Sequence, residues 1–189
     1  MPKDNWLDVE NKIISYESSR GCPFSCSYCL SSVDKTVRLR DIELVKDELN
    51  FFLKHKVKQV KFVDRTFNCK KEHALAVWKH IKENDNGITN FHFEIAADLL
   101  DDEQIKLLGT MRSGLLQLEI GIQSTNLDTL KAINRKTDLK KIASNVNAIH
   151  KTRNIHQHLD LIAGLPHESY ESFCNSFNEV YALKPDQLQ

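Results

Sequence analysis

A parallel α/β fold, rolled towards a β/α barrel, is what this 189-residue sequence predicts. Three observations carry the expectation. Short β-rich runs (KIISYESS, QVKFVDRTF, FHFEIAA, LLQLEIGIQS and HQHLDLIAG) are each followed by a helical pattern, the signature of consecutive β-α units. The connections are long enough to hold whole helices, which calls for crossovers and parallel neighbours rather than hairpins. Several strands alternate polar and apolar residues, where parallel strands covered on both faces would read as continuous apolar runs. One face then meets the helices, and the polar face lines an enclosed concavity, as in an open or closed barrel.

The elements follow in order. Ile42, Val45, Leu49, Phe52 and Leu53 form the apolar stripe of the first helix, and Ala74, Leu75, Trp78 and Ile81 that of the second. Ile142, Val146 and Ile149 repeat the pattern in the fourth, and Phe173, Phe177 and Val180 in the fifth; such stripes are core positions. In FHFEIAA, Phe91, Phe93 and Ile95 oppose His92, Glu94 and Ala96. In LLQLEIGIQS, Leu116, Leu118, Ile120 and Ile122 oppose Gln117, Glu119, Gly121 and Gln123, and HQHLDLIAG sets Leu159 and Leu161 against His158 and Asp160. A lumen rich in Glu, Gln, His and Asp is built to hold something polar. PDQLQ at the end reads as the start of a sixth strand, so residues 1–189 are expected to be a single domain cut from a longer protein.

Lysine plus arginine balance aspartate plus glutamate at 26 each. No overall positive field points to nucleic acid or a membrane surface, and neutrality favours a small-molecule or protein substrate. No apolar run reaches the roughly 18 residues of a membrane span, and the start MPKDNWLDVENK has the pattern of neither a signal nor a transit peptide. The expected location is the cytoplasm, where clustered cysteines serve as metal ligands or redox groups more often than as disulfides.

Three of the five cysteines crowd into SSRGCPFSCSYCLSS at spacing C-x3-C-x2-C. Structural zinc wants four protein ligands, and a disulfide framework wants an even count. A cubane 4Fe-4S cluster is normally held by four thiolates. Three leave one iron open to a bidentate ligand such as an amino acid's amine and carboxylate. Tyr28, between the last two cysteines, offers a ring to cover a cluster or stack on a flat ligand. Cys69 and Cys174 read as ordinary thiols.

Cys22-x3-Cys26-x-Tyr28-Cys29 resembles the signature of the radical S-adenosylmethionine superfamily. GIQS, NRKTD and LDLIAGLPHESYESF extend the resemblance along the chain, towards oxygen-independent coproporphyrinogen oxidases, methylthiotransferases and radical enzymes that carry a cobalamin-binding type of domain. The resemblance implies a partial (β/α)6 barrel, truncated at the sixth strand. It also implies a 4Fe-4S cluster on Cys22, Cys26 and Cys29, with S-adenosylmethionine bound at the open iron through its methionyl amine and carboxylate. Glu94, Gln123, Arg135 and Asp160 match cofactor contacts of the family, and Ile162 an adenine contact. Where many relatives hold the methionyl amine on a glycine-rich backbone stretch, this chain has VDRTFN, so Asp64 and Thr66 stand in that place. Cobalamin is implied only through a domain absent from this chain, and the electron source would be an external donor such as flavodoxin or ferredoxin.

The implied chemistry is reductive cleavage of S-adenosylmethionine to methionine and a 5'-deoxyadenosyl radical that abstracts hydrogen from a substrate. Within that reading, a coproporphyrinogen oxidase-like enzyme and a methylthiotransferase are the alternatives, and neutral charge weighs against an RNA substrate. A zinc or iron-sulfur binding module without catalysis is the alternative of another class. Taken singly, the acidic residues would be partners of neighbouring cations, and Arg135 a helix-end cation.

Overall fold

The computed structural model describes residues 12–189; the start MPKDNWLDVEN lies outside the described residues. Six strands form one wholly parallel sheet: β1 (Ile13–Tyr16), β4 (Gln59–Phe62), β5 (Asn90–Ile95), β6 (Leu116–Gln123), β7 (His156–Leu161) and β8 (Gln187–Leu188), in that spatial order. β1 and β8 are the two edges and do not pair with each other, so the barrel stays open. All five predicted strands and the sixth, short one are present, in parallel register.

A two-residue antiparallel ribbon, β2 (Ser19–Arg20) with β3 (Arg38–Leu39), closes the base of the cysteine loop. The helices between strands are α1 (Ile42–Lys54), α2 (Lys71–Glu83), α3 (Asp102–Gly109), α4 (Leu127–Ala132), α5 (Leu139–Thr152) and α6 (Tyr170–Tyr181). Short polar residues start most of them: the side chains of Asp41, Asp101, Asn126, Asp138 and Ser169 each accept from a backbone N–H of the first turn, satisfying donors that a helix cannot pair internally.

The core lies on the apolar face. β6 alternates buried and half-buried residue by residue, with Leu116, Leu118, Ile120 and Ile122 inward. Phe62, Phe67, Phe93 and Trp78 stack beside it at ring-centroid separations of 4.3 to 5.5 Å along the chain of contacts Phe62–Phe93, Phe67–Phe93 and Phe67–Trp78. Burying each such ring contributes about 1.5–3 kcal/mol. The predicted stripes of α1, α2 and α5 pack here. The α6 stripe departs from expectation: Val180 is buried, but Phe177 is 42% exposed and stacks on Tyr181.

Candidate functional site

The polar ends of the strands and the cysteine loop enclose a cavity of about 220 Å³. Cys22, Cys26, Cys29, Tyr28 and Thr66 line it together with Glu94, Glu119, Gln123, Arg135 and Asp160. The cavity opens at the carboxyl ends of the strands, where β/α proteins place their chemistry.

Backbone bonds shape the loop. Gly21 has φ +100°, and a Cβ there would meet the Thr36 carbonyl oxygen, so only glycine allows the two limbs to approach this closely. Cys22 N–H donates to Asp34 O at 3.3 Å, Cys29 N–H to Cys26 O at 3.1 Å, and a 3-10 turn, Leu30–Ser32, follows. Cys22 Sγ lies 3.6 Å from Thr66 Oγ1. From the far side, the end of α4 clamps the loop: Ser27 N–H donates to Ile133 O at 2.9 Å and Asn134 Nδ2 to Ser25 O at 3.0 Å.

Arg135 follows that clamp. Its Nη1 points at Cys26 Sγ (3.8 Å) and Tyr28 Oη (3.3 Å), and its Nη2 donates to Gly121 O. Its Nε is buried with no partner. Burial pushes the Tyr28 hydroxyl up to about 12, against the pull of the Arg135 charge. At Gly121 a Cβ would collide with the Gln123 side-chain amide, which would have to move, and would only touch Arg135. Gln123 closes β6 at φ +74°, a left-handed conformation beside a register shift in the β6–β7 pairing.

Glu94 on β5 and Glu119 on β6 are register partners, and Gly121 pairs with Asp160 on β7. Lys61 Nζ lies 3.1 Å from Glu119 Oε2 and 3.8 Å from Glu94 Oε1. His92 Nε2 lies 2.9 Å from Glu119 Oε2 and His158 Nε2 3.1 Å from Asp160 Oδ1, both without hydrogen-bond geometry. The His92 ring, with Lys61 beside it, holds the Glu119 carboxyl down at about 2. Burial, reinforced by Glu119, pushes Glu94 up. Burial also lifts Asp160 to about 6, opposed by His158 and assisted by Glu119.

Not every expected residue reaches the cavity. Asp64 is fully buried and turned away: Ser18 N–H, Ser18 Oγ and Ser19 Oγ donate to its carboxylate at 3.0, 2.8 and 2.5 Å. Its place is to anchor the first turn after β1, and of VDRTFN it is Thr66 and Arg65 that line the site. Ile162 packs instead against the small cluster of Leu130, Ile133 and Leu165. Glu168, the acidic residue of LPHES, accepts from Ser124 Oγ at 2.6 Å and fixes the turn after β6. Cys69 does not line the cavity; it is half-buried, and burial, followed by the Cys22 thiol, pushes its own thiol up. Arg65 and Glu119 line the site, and Lys61 and His92 stand against Glu119, without having been singled out as site residues. The alternation of QVKF, with Val60 and Phe62 buried, already placed Lys61 on the polar face.

The raised Asp160 gives a prediction with a definite sign. A carboxyl near 6 in the folded chain and 3.8 unfolded binds more protons when folded, so it costs stability as pH rises from about 4 to 6 and remains costly above. Asp160→Asn is therefore expected to raise the melting temperature of the empty protein at pH 7 by about 2–4 °C per kcal/mol relieved, and to change little near pH 4. Thermal melts at both pH values check it; an unchanged or lower melting temperature at pH 7 contradicts it.

A parallel β/α barrel that gathers three thiols, a guanidinium and several carboxylates around one cavity defines the class of protein. A model of the Radical SAM superfamily matches residues 16–180. The chain belongs to that superfamily, whose members are enzymes. It is 32% identical over 173 residues to 2-(S-pantetheinyl)-carbapenam-3-carboxylate methyltransferase of Streptantibioticus cattleyicolor, covering 84% of this chain and 24% of that protein. The fold superposes on the radical S-adenosylmethionine methyltransferase TsrM from Kitasatospora setae, solved with cobalamin and a [4Fe-4S] cluster, with TM-score 0.80 at 18% identity over 93% of this chain and 36% of the other. Coproporphyrinogen III oxidase from Escherichia coli aligns with TM-score 0.68 at 21% identity, covering 93% and 43%. The family implies S-adenosylmethionine and a 4Fe-4S cluster as cofactors. No helix among the described residues is long and apolar enough to cross a membrane.

Proposed function

We propose that residues 12–189 form the core of a radical S-adenosylmethionine enzyme, with Cys22, Cys26 and Cys29 as ligands of a 4Fe-4S cluster. The observation that carries this is the common cavity of the three thiols with Arg135, Gln123, Glu94 and Asp160. Three thiolates with one position left open suit a cubane, in which each thiolate binds its own iron, better than a structural zinc ion, which takes four protein ligands.

The donor set fits the second cofactor as well. Arg135, with an unpartnered buried Nε, offers a planar fork to a carboxylate. Gln123 and Asp160 supply an amide and an acceptor for ribose hydroxyls, and Asp160 Oδ1 is buried without a hydrogen bond. Tyr28 covers the cluster side, and Thr66 stands against Cys22. When bound and reduced by one electron from a donor of the flavodoxin or ferredoxin kind, the cofactor pair supplies a carbon-centred radical and methionine. The chain's own work is to orient S-adenosylmethionine and keep water from it. Cobalamin, present in the Kitasatospora neighbour, would be held by a segment other than residues 12–189. The substrate is a small molecule or a protein, and the cytoplasm is the compartment that suits five unpaired thiols.

Anaerobic reconstitution tests the reading. About four irons per chain and a broad absorbance near 400 nm are expected; one colourless zinc ion per chain would replace the enzyme by a binding module.

A further inference from the structure

The sequence puts Thr66 where many relatives hold the methionyl amine, yet its hydroxyl faces a sulfur. Cys22 Sγ and Thr66 Oγ1 are 3.6 Å apart, and each residue is only 8% exposed. The approach is fixed on both sides of Thr66. Asp64, two residues before it, is fully buried and accepts from Ser18 N–H, Ser18 Oγ and Ser19 Oγ, and His73 Nε2 lies 3.0 Å from the same Ser18 Oγ. Ser19 opens β2, the strand that leads into Cys22. Asn68, two residues after Thr66, is buried as well; its Nδ2 donates to Ala96 O at 2.8 Å and its Oδ1 accepts from Ala96 N–H at 2.9 Å. Thr66 is thereby tied to the turn after β1 and to the end of β5, and its distance from Cys22 is set by the frame.

Proton counting gives the pair a role. The Thr66 hydroxyl has one proton, which it donates to Arg65 O at 2.8 Å, so in the metal-free chain the contact with Cys22 needs the S–H as its donor. A sulfur that ligates iron is a thiolate and has no proton to give. The one proton left between the two atoms is then that of Thr66, and a hydroxyl turns about its C–O bond to direct it.

We propose that Thr66 is a positioning residue that donates its hydroxyl proton to the Cys22 thiolate and thereby raises the reduction potential of the cluster that Cys22 helps to hold. This rests on the reading of the three thiols as cluster ligands and deepens it. An added electron increases the negative charge on the ligating sulfurs, so a donor aimed at one of them favours the reduced form. In a pair this buried, the low local dielectric strengthens the bond.

Redox titration of reconstituted wild type, Thr66→Val and Thr66→Ser, followed by electron paramagnetic resonance, tests it, with iron analysis and calorimetric titration with S-adenosylmethionine on each. Thr66→Val keeps the shape and loses the donor. It is expected to hold about four irons per chain and, at a fixed applied potential, to show a reduced-to-oxidised ratio about three- to tenfold below wild type. At 59 mV per tenfold for one electron, that is a downward shift of about 30–60 mV. Thr66→Ser, which retains the hydroxyl, is expected to stay near wild type, and both variants to bind S-adenosylmethionine as wild type does. Equal potentials in wild type and Thr66→Val overturn the inference alone, and so does a potential in Thr66→Ser as low as in Thr66→Val. A loss of S-adenosylmethionine affinity without a shift in potential overturns it too, returning Thr66 to the amine. Should Thr66→Val lose its iron, Thr66→Ala takes its place; loss of iron from both, with retention in Thr66→Ser, makes support of the loop the whole role and overturns the tuning. Wild type that takes up one zinc ion in place of four irons overturns the reading of the thiols and the inference with it.

Discussion

Alanine at any one of Cys22, Cys26 or Cys29 is expected to abolish iron retention, while Cys69→Ala and Cys174→Ala keep a full complement of about four irons per chain. The loop gives no substitute ligand. Its path is fixed at the base by the β2–β3 ribbon, at Gly21 by the close approach of Thr36, and on the far side by Ile133 and Asn134, so a neighbouring side chain has no freedom to move in. Cys69, the next thiol in the neighbourhood, is half-buried and pushed up by burial and by Cys22. It is correspondingly a poorer thiolate. Iron and sulfide analysis with absorbance near 400 nm checks the set; loss of iron in Cys69→Ala as complete as in Cys22→Ala would redraw the ligands.

Arg135→Ala is expected to weaken S-adenosylmethionine binding by roughly 2–4 kcal/mol, the scale for truncating one partner of a buried, hydrogen-bonded charge pair. That is about 30- to 700-fold in affinity. Iron content is expected to stay near wild type, because the guanidinium touches Cys26 only at 3.8 Å and the loop is anchored by backbone bonds elsewhere. Were Arg135 only a cation beyond the end of α4, its removal would cost about 0.3–1 kcal/mol of stability and leave the titration unchanged. Equal affinities of mutant and wild type for S-adenosylmethionine would remove Arg135 from the site and weaken the place of Gln123, which stands beside it across Gly121.

The sheet was legible because its alternation is a two-residue period that survives any tertiary context. It put Glu94, Gln123 and Asp160 on the cavity face, and the same period in QVKF carries Lys61 there. What the sequence does not display is contact between distant segments. α4 is six residues long, too short for a helical period to stand out, yet its end holds the cysteine loop through bonds that span more than a hundred residues of chain. Asp64 shows the converse. A carboxylate at a strand end reads as a site residue, but β4 stops at Phe62, and two serines after β1 capture the side chain from below. Ile162 left the cavity for a similar reason: its N–H donates to Gln123 O at 2.9 Å, which turns the segment towards the apolar cluster of Leu130, Ile133 and Leu165. Phe177 continues the apolar stripe of α6 in sequence, yet it stacks on the exposed Tyr181 instead of packing into the core.

Mass-spectrometric analysis of the reconstituted protein after reduction with dithionite in the presence of S-adenosylmethionine bears most directly on the chain being a radical S-adenosylmethionine core. The geometry of the thiol cavity predicts methionine and 5'-deoxyadenosine in equal amounts, formed by wild type and absent from Cys26→Ala. A protein that holds its irons, binds S-adenosylmethionine and returns it uncleaved under reduction would contradict that function.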